Sequence, residues 1–258
     1  FVPYTDAFSI QKSLLRQRLD WQREGKQGHD VILLLQHESV YTLGRRGHPR
    51  DVKLPLDDPE AFHKALEAGP VHVEEKLFVR SDRGGQITWH GPGQLVGYFV
   101  LDLRYHKKDL HWYLHQLEGL LIRSLADFGL EARSDEQHTG VWVQDAKVAA
   151  IGINAASWVT IHGFGLNVAP DMTSFDAIVP CGIEEHGVTS MHSLLQDRCP
   201  TIEAVKETVA GHASRRFGFD VVATQVDSVN HLAEMEEIPQ KYIEMCNDRR
   251  TRKQEIEL

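Results

Sequence analysis

The side chain best suited to act as a nucleophile is Cys181, which stands between Pro180 and Gly182 in the run IVPCGI. The thiolate form of cysteine is a strong nucleophile. Two interpretations are open from these residues alone: a free cysteine is commonly a small buried hydrophobic residue, or this one lies exposed on a turn. The proline and glycine favour the turn, because they place a side chain at the end of an element. Cys199, beside a proline, and Cys246, in a charged segment, are expected to be structural or incidental.

A second candidate is Lys147, in the run DAKVAAIGI. A lysine that opens an apolar strand is most often a solvated edge residue, and that interpretation stays open. The small apolar residues that follow it would nevertheless leave room for a ligand chain. An ammonium close to a thiol lowers the pKa of that thiol from about 8.5. A neutral lysine could then serve as a base.

The stretch from Arg83 to Tyr98, RGGQITWHGPGQLVGY, has the composition of a binding loop. Its glycines at 84, 85, 91 and 93 allow the backbone to approach a bound group without obstruction by side chains. The stretch contains no nucleophile, so a reaction would need residues from elsewhere in the chain.

Two histidines, His90 and His162, each precede a glycine, which favours a shared site. Together with Cys181 and His186 they suggest zinc ligands, but none of these four residues has the HxxxH or HxE spacing that fixes two ligands on one element. We therefore expect no metal. The sequence also lacks GxxxxGK[ST], GxGxxG after a strand, and the GxSxG nucleophile elbow.

The composition is that of an ordinary soluble protein: 258 residues, 41% hydrophobic and 25% charged. No run of about 18 apolar residues occurs, so the sequence predicts no membrane-spanning helix. The formal charge of −9 argues against non-specific nucleic-acid binding as the main function. A local basic patch is nevertheless present, formed by Arg45, Arg46, Arg50, Lys53, Arg80 and Arg83.

Three cysteines without CxxC spacing suggest a reducing compartment. The sequence starts at Phe1 without an initiator methionine, from which we expect a trimmed or processed chain.

Periodicity and turn residues predict a mixture of helices and strands. Helices are predicted over residues 6–24, from Asp58 to Gly69, from Asp109 to Gly129, over 201–216, and from Pro239 onward. Strands are predicted over 31–35, 40–43, 71–74, 77–81, 94–103, 140–153 and 157–168. These elements lack a regular βαβ alternation, which favours one α+β or α/β domain built around a mixed sheet.

Five blocks in the same order resemble the lipoyl(octanoyl) transferases, the acyltransferases of lipoate biosynthesis. They are LLLQHESVYTLGRRG at 33–47, RGGQITWHGPGQLVGY at 83–98, TGVWVQDAKVAAIGI at 139–153, IHGFGLNV at 161–168 and IVPCGIEEHGVTSM at 178–191. The resemblance implies a single domain like the catalytic domain of biotin and lipoate protein ligases. It places the catalytic domain at residues 1–200 and a helical extension, packed on the same domain and frayed at its end, at 201–258.

The resemblance also implies roles for individual residues. Cys181 corresponds to the nucleophile that forms an acyl thioester, and Lys147 to the lysine that lowers its pKa. The substrate-binding residues that the resemblance implies are Arg83, Gly84, Gly85, Gln86, Ile87, Thr88, Trp89, His90, Ala150, Ile151, Gly152, His162, Gly163, Phe164 and Gly165. Relatives commonly have Leu-Ala in place of Phe164-Gly165, so the shape of that wall is expected to differ.

The implied reaction transfers an octanoyl group from acyl carrier protein to a lysine of a lipoyl domain. The acceptors would be the E2 subunits of 2-oxoacid dehydrogenases and the glycine cleavage H protein. One thioester replaces another and aminolysis then forms an amide, so no ATP or other cofactor is expected, and the kinetics should be ping-pong. We expect a monomer in the mitochondrial matrix, with the bacterial cytoplasm as the alternative.

Three other functions stay open. An ATP-dependent lipoate or biotin ligase has a similar fold but would need a GGGxVxHD-like nucleotide loop where this chain has RGGQITWHGPGQ. An amidotransferase that moves octanoate between lipoyl domains differs only in its donor. A non-enzymatic module that binds acyl carriers would have no need of both Cys181 and Lys147.

Overall fold

The computed structural model describes residues 1–180 and 187–218. Cys181, Gly182 and His186 lie outside these described residues, as do Cys246 and the helix predicted from Pro239. The helices are α1 Tyr4–Arg23, α2 Pro59–Ala68, α3 Leu110–Asp127, α4 Met191–Leu195 and α5 Ile202–Phe217. The strands are β1 Val31–Leu35, β2 Val40–Leu43, β3 Val71–Val73, β4 Lys76–Arg80, β5 Ile87–His90, β6 Gln94–Val100, β7 Ala132–Ser134, β8 Val141–Val143, β9 Ala146–Ala156 and β10 Val159–Asn167.

Helices α2, α3 and α5 begin where side chains cap their first turns. Asp58 accepts from two backbone N–H groups of α2, Asp109 from the N–H of Trp112, and Thr201 from the N–H of Ala204. Each cap satisfies donors that the first helical turn leaves without intrahelical partners. The helix predictions are confirmed at these three positions.

The larger sheet has the order β1-β6-β10-β9-β8-β7 and is antiparallel throughout. Successive side chains of a strand point to opposite faces. Leu95 and Phe99 of β6 pack with α3 and α5 in the main core, while Val96 and Tyr98 face α1. Because α5 belongs to this core, the part of the predicted extension that is described is an integral layer of the domain.

The smaller sheet has the order β3-β4-β2-β5, in which β2 and β4 are parallel. Phe62 and Leu66 of α2 pack against Tyr41 and Phe78 of this sheet in a second core. The predicted mixed α+β domain is confirmed, but its strands divide between two sheets. Strand β5 was predicted as part of a glycine loop, because its alternation covers only four residues and lies between the glycines at 85 and 91.

Helix α1 buries a stripe at positions 4, 7, 11, 15 and 18, which are three or four residues apart. Two members of the stripe, Gln11 and Arg18, are polar. Gln11 accepts a backbone N–H from β10, and Arg18 Nε donates to the carbonyl of His29 at 2.7 Å. The Nη2 atom of Arg18 is buried and has no hydrogen-bond partner among the described residues. No helix among residues 1–180 and 187–218 is long and apolar enough to cross a membrane.

Candidate active site

The segment from Arg83 to Gln86 lies directly on the larger sheet. The Gly84 N–H donates to the carbonyl of Ile153 in β9 at 2.8 Å. A Cβ atom at Gly152 would stand 2.9 Å from the Gly84 carbonyl oxygen, which is too close for any other residue without a backbone shift. Glycine at position 152 therefore permits the loop to contact the strand.

Arg83 holds the loop in this place from the side of the smaller sheet. Its Nη2 atom donates to the carbonyl and hydroxyl oxygens of Thr42, at 2.6 and 2.8 Å. Its Nη1 atom donates to the carbonyls of Gly84 and Gln86, at 3.1 and 2.9 Å. One planar guanidinium thus joins the end of β2 to the glycine loop.

A cleft with a cavity volume of about 50 Å³ lies between this loop and the face of the larger sheet that carries α1. Its lining residues are Tyr4, Arg83, Gly84, Gly85, Gln86, Thr88, His90, Tyr98, Ala150, Ile151, Gly152, His162, Gly163, Phe164 and Gly165. Of the substrate-binding residues implied by the resemblance, all except Ile87 and Trp89 line it. Tyr4 and Tyr98 are additional.

The alternation of β5 explains the two exceptions. Thr88 and His90 face the cleft, so Ile87 and Trp89 point to the opposite face of the strand. There they belong to the second core, where Trp89 packs edge-on against Phe175. Their side chains hold β5 in place and do not contact the cleft.

The wall formed by β10 depends on glycine. A Cβ at Gly163 would stand 2.2 Å from the Gly97 carbonyl oxygen, and one at Gly165 would stand 2.7 Å from Gln94 Oε1. The Phe164 ring covers Gly97, where a Cβ would come within 2.5 Å of it, and packs with Phe99 in the main core. Phe164-Gly165, which stands where relatives commonly have Leu-Ala, therefore places a large ring on the core side of β10 and leaves the cleft side open.

Two buried histidines beside the cleft have defined tautomers. His37 Nδ1 donates to the carbonyl of Val2 at 2.7 Å, so its Nε2 accepts the hydroxyl of Tyr98 at 2.6 Å. His90 Nδ1 donates to Gln94 Oε1 at 2.7 Å. Burial lowers the pKa of His37 to about 4 and lowers the pKa of His90 well below its usual value. Both rings are therefore neutral at pH 7.

His162 has an unusual backbone conformation, with φ at +64°. Its backbone N–H donates to Gln11 Oε1 at 2.8 Å, and its Nε2 donates to Asp82 Oδ1 at 2.7 Å. The Phe8 ring stacks on it at 5.4 Å. Helix α1 therefore fixes His162 at the cleft. Although partial burial would raise the pKa of Asp82, hydrogen bonds from His162 and Lys12 outweigh that effect and hold it well below its usual value.

The buried histidines predict a loss of stability in mild acid. Since His37 has a pKa of about 4 in the folded chain and 6.5 as its ordinary value, the unfolded chain binds its proton first. Its contribution is complete above pH 6.5 and is lost as the pH falls toward 4. We expect the free energy of unfolding to fall by about 2 kcal/mol from this group between pH 6.5 and 4.5.

Urea unfolding at a series of pH values measures this change. The variant His37→Gln should have a flatter pH profile than the native chain, whereas His72→Gln, at an exposed histidine, should not. If the free energy of unfolding depends on pH equally in the native chain and in His37→Gln, His37 is not the group responsible for the loss of stability.

Lys147 is buried, with 5% of its surface exposed, which excludes the solvated edge position. Its Nζ donates to the carbonyl of Thr139 at 3.1 Å and lies 4.8 Å from the ring centroid of Trp142. Its backbone N–H donates to the carbonyl of Gly187 at 2.9 Å, and its carbonyl accepts the N–H of Thr189 at 2.9 Å. The start of β9 thus pairs with the chain directly after residues 181–186.

The chain before residue 181 is anchored as well. Ile178 forms a bridge with Val52, and the Val179 N–H donates to the carbonyl of Asp51 at 2.8 Å. The described residues on either side of the Cys181 segment are therefore both fixed, Val179 by Asp51 and Gly187 by Lys147. Among residues 1–180 and 187–218, no three His, Cys, Asp or Glu side chains are grouped as metal ligands.

Comparison with known proteins identifies the family. The family model "Lipoyl protein ligase A/B catalytic domain" matches residues 3–214. An octanoyltransferase of Synechococcus elongatus is 45% identical over 208 residues, which are 80% of this chain and 81% of the relative. A chloroplastic octanoyltransferase of Arabidopsis thaliana is 41% identical over 76% of this chain and 65% of the relative. The chain belongs to the octanoyltransferases of this family. It is an acyltransferase of lipoate biosynthesis.

Solved structures of lipoate ligases share the fold of this octanoyltransferase. A lipoate-protein ligase A bound with ATP has a TM-score of 0.62 at 14% identity, covering 87% of this chain and 88% of that one. A bipartite lipoate protein ligase of Thermoplasma acidophilum has a TM-score of 0.59 at 15% identity, covering 87% and 86%. At these identities the likeness shows the fold alone.

A pair of glycine variants tests whether the loop of this octanoyltransferase serves the cleft. Gly85 and Gly129 both have left-handed backbones, with φ at +88° and +79°, and a Cβ at either meets no atom within 3.4 Å. Alanine should therefore destabilise both variants equally, by about 1 kcal/mol. Only Gly85 lines the cleft, so only Gly85→Ala should raise the KM for the octanoyl donor, by about tenfold. Unfolding curves and steady-state kinetics measure the two effects. Unchanged kinetics in Gly85→Ala would assign the loop a purely structural role.

Proposed function

We propose that this octanoyltransferase carries the octanoyl group on Cys181 between two protein partners. The Cys181 thiolate attacks the thioester carbonyl of octanoyl-acyl carrier protein, a new C–S bond forms and the C–S bond to the carrier breaks. The carrier leaves as a thiolate and takes the proton of the Lys147 ammonium, which leaves Lys147 neutral. An acceptor lysine then attacks the Cys181 thioester, which yields an amide and regenerates the thiol. The first step exchanges one thioester for another and the second is downhill, so the transfer needs no ATP.

The observation that carries the proposal is the position of Lys147. A lysine buried at the start of β9 has its backbone hydrogen-bonded to Gly187 and Thr189, which follow the Cys181 segment directly. An ammonium beside a thiol favours the thiolate. After acylation, the neutral amine would accept the proton of the incoming lysine.

The cleft residues are proposed to bind the octanoyl chain. Backbone and small side chains at Ala150, Gly152, Gly163 and Gly165 form one wall, and the Arg83–Gln86 loop forms the other. Burial of an alkyl chain against such surfaces removes it from water and therefore favours binding. The neutral His90 ring, held by Gln94, would then lie near the polar end of the chain.

The basic loop after β2 is proposed as the docking face for the carrier. Backbone N–H groups of Gly44, Arg45 and Arg46 donate to carbonyls of the Arg83–Gln86 segment, each at 3.0 Å. The side chains of Arg45 and Arg46 are exposed. A positive surface next to the cleft suits an acidic partner and would accelerate its association.

Lipoylation enzymes act on protein acceptors. For this chain we propose lipoyl domains of 2-oxoacid dehydrogenase E2 subunits and the glycine cleavage H protein. The bacterial cytoplasm, the alternative to the mitochondrial matrix, fits the cyanobacterial relative. An ATP-dependent ligase shares the fold, so the fold alone does not separate the two activities. The sequence relatives, which are octanoyltransferases, favour transfer.

Intact-mass measurement tests the thioester. Incubation with octanoyl-acyl carrier protein, without ATP, should add one octanoyl mass to the native chain and to the control Cys199→Ser, and none to Cys181→Ser. Adding an apo lipoyl domain should remove that mass and transfer it to the domain. If Cys181→Ser still transfers octanoate, or if the native chain gains no mass, the mechanism is wrong. Transfer only from another octanoyl lipoyl domain would favour the amidotransferase.

A further inference from the structure

A carboxylate on helix α3 is buried where the helix meets the start of β9. Glu118 is 5% exposed and lies between the core residues Leu117 and Leu120. Its Oε1 atom accepts a hydrogen bond from the backbone N–H of Gly140 at 3.3 Å, and its Oε2 atom accepts one from His115 Nδ1 at 3.0 Å. Because a buried carboxylate is costly without such partners, this position calls for an explanation.

The peptide group between Thr139 and Gly140 connects Glu118 to Lys147. Its carbonyl oxygen accepts a hydrogen bond from Lys147 Nζ at 3.1 Å, and its N–H donates a hydrogen bond to Glu118. A positive group at the oxygen and a negative group at the hydrogen polarise one peptide in the same direction. Each hydrogen bond in such a chain strengthens the other.

The backbone position of Gly140, which forms half of this peptide, requires glycine. Its φ of +137° lies in a region that side chains rarely adopt. A Cβ there would stand 2.7 Å from the Ala149 carbonyl oxygen and 3.2 Å from Lys147 Cε. The lysine stem therefore lies against the glycine backbone on one side, and its ammonium lies near the Trp142 ring.

We propose that Glu118 is a positioning residue that acts on Lys147 through the Thr139–Gly140 peptide. It holds the peptide in place, and its charge stabilises the ammonium that forms when Lys147 accepts a proton from the incoming amine. It touches neither the octanoyl chain nor the donor. This role rests on the proposed function, in which Lys147 is the base. Its loss is expected to slow the chemical step and to leave donor binding unchanged.

Four single variants and one double variant test the role. Glu118→Gln keeps an oxygen for the Gly140 N–H and loses only the charge, whereas Glu118→Leu loses both. We expect kcat to fall about tenfold in the first and about a hundredfold in the second, with kcat/KM for octanoyl-acyl carrier protein unchanged, because in ping-pong kinetics that ratio reports the acylation half-reaction alone. Ser124→Ala removes another buried polar group of α3, whose hydroxyl donates to the Leu120 carbonyl, and should retain the native kcat. In the double variant, single-turnover rates of Glu118→Gln with Lys147→Met should equal those of Lys147→Met alone.

Each outcome separates the positioning role from the proposed function. Native activity in Lys147→Met would overturn the proposed function and, with it, the role of Glu118. An inactive Lys147→Met together with a native kcat in Glu118→Gln would overturn the positioning role alone. Independent, additive losses in the double variant would assign Glu118 to folding, and unfolding curves of all the variants would show the matching loss of stability. If Glu118→Leu does not fold, the Gln variant and the double variant decide.

Discussion

Replacing Lys147 with methionine is expected to lower the rate of octanoyl transfer by about 10³-fold, within the range for loss of a positioned acid or base. Methionine keeps an apolar stem against Gly140 and Trp142, so the packing of β9 should survive. The amine is lost, and with it the group proposed to hold the thiolate and to accept the proton of the acceptor lysine.

Single-turnover transfer to an apo lipoyl domain measures this loss. The control Lys64→Met, at an exposed position on α2, should retain the native rate. Circular dichroism and unfolding curves should show that both variants are folded. A Lys147→Met variant that is folded and transfers octanoate at the native rate would exclude a catalytic role for this lysine.

Arg83→Lys is expected to lower the free energy of unfolding by about 3 kcal/mol and to raise the KM for the octanoyl donor. Two nitrogens of the Arg83 guanidinium donate hydrogen bonds to the carbonyls of Thr42, Gly84 and Gln86. A lysine has one nitrogen and cannot reach both sides. The change therefore leaves buried acceptors without donors, at about 1–3 kcal/mol each.

Urea unfolding and steady-state kinetics check the two parts of this prediction. Arg133→Lys, at a half-exposed arginine on β7, should change neither quantity. A stable Arg83→Lys variant with a native KM would show that neither the loop nor the cleft depends on the guanidinium. A destabilised variant with a native KM would confine Arg83 to folding.

The shared fold of octanoyltransferases and ATP-dependent lipoate ligases places the distinction between them in side chains. The same layers of sheet and helix carry either activity, as the likeness to a ligase bound with ATP shows. In this chain the candidates are the cysteine between Pro180 and Gly182 and the lysine that opens β9. The mass experiment and the Lys147 variant therefore test the feature on which the assignment of function rests.

Local sequence is sufficient for much of this structure. The caps Asp58, Asp109 and Thr201 set helix starts because their side chains bond to N–H groups two or three residues away. The apolar runs of β1 and β6 predict two buried strands. Both strands form, but only β6 is buried along its length, because β1 lies at the edge of the larger sheet and is half-buried. The order of five sequence blocks indicates the family, which the comparisons confirm.

Only the tertiary structure added Tyr4 and Tyr98 to the cleft and placed Ile87 and Trp89 outside it. Tyr4 reaches it from the first helix, through a bond between its hydroxyl and Ser81, 77 residues away. Gln11 fixes the His162 backbone across 151 residues, and Glu118 meets Gly140 across 22. Local periodicity carries no signal for such pairs, because each contact depends on how whole elements pack. The sequence by itself determined the elements, the family and the candidate chemistry. The packing of α1 and α3 on the larger sheet decided the neighbours of His162 and Lys147, because contacts between distant elements form only when those elements bury their faces together.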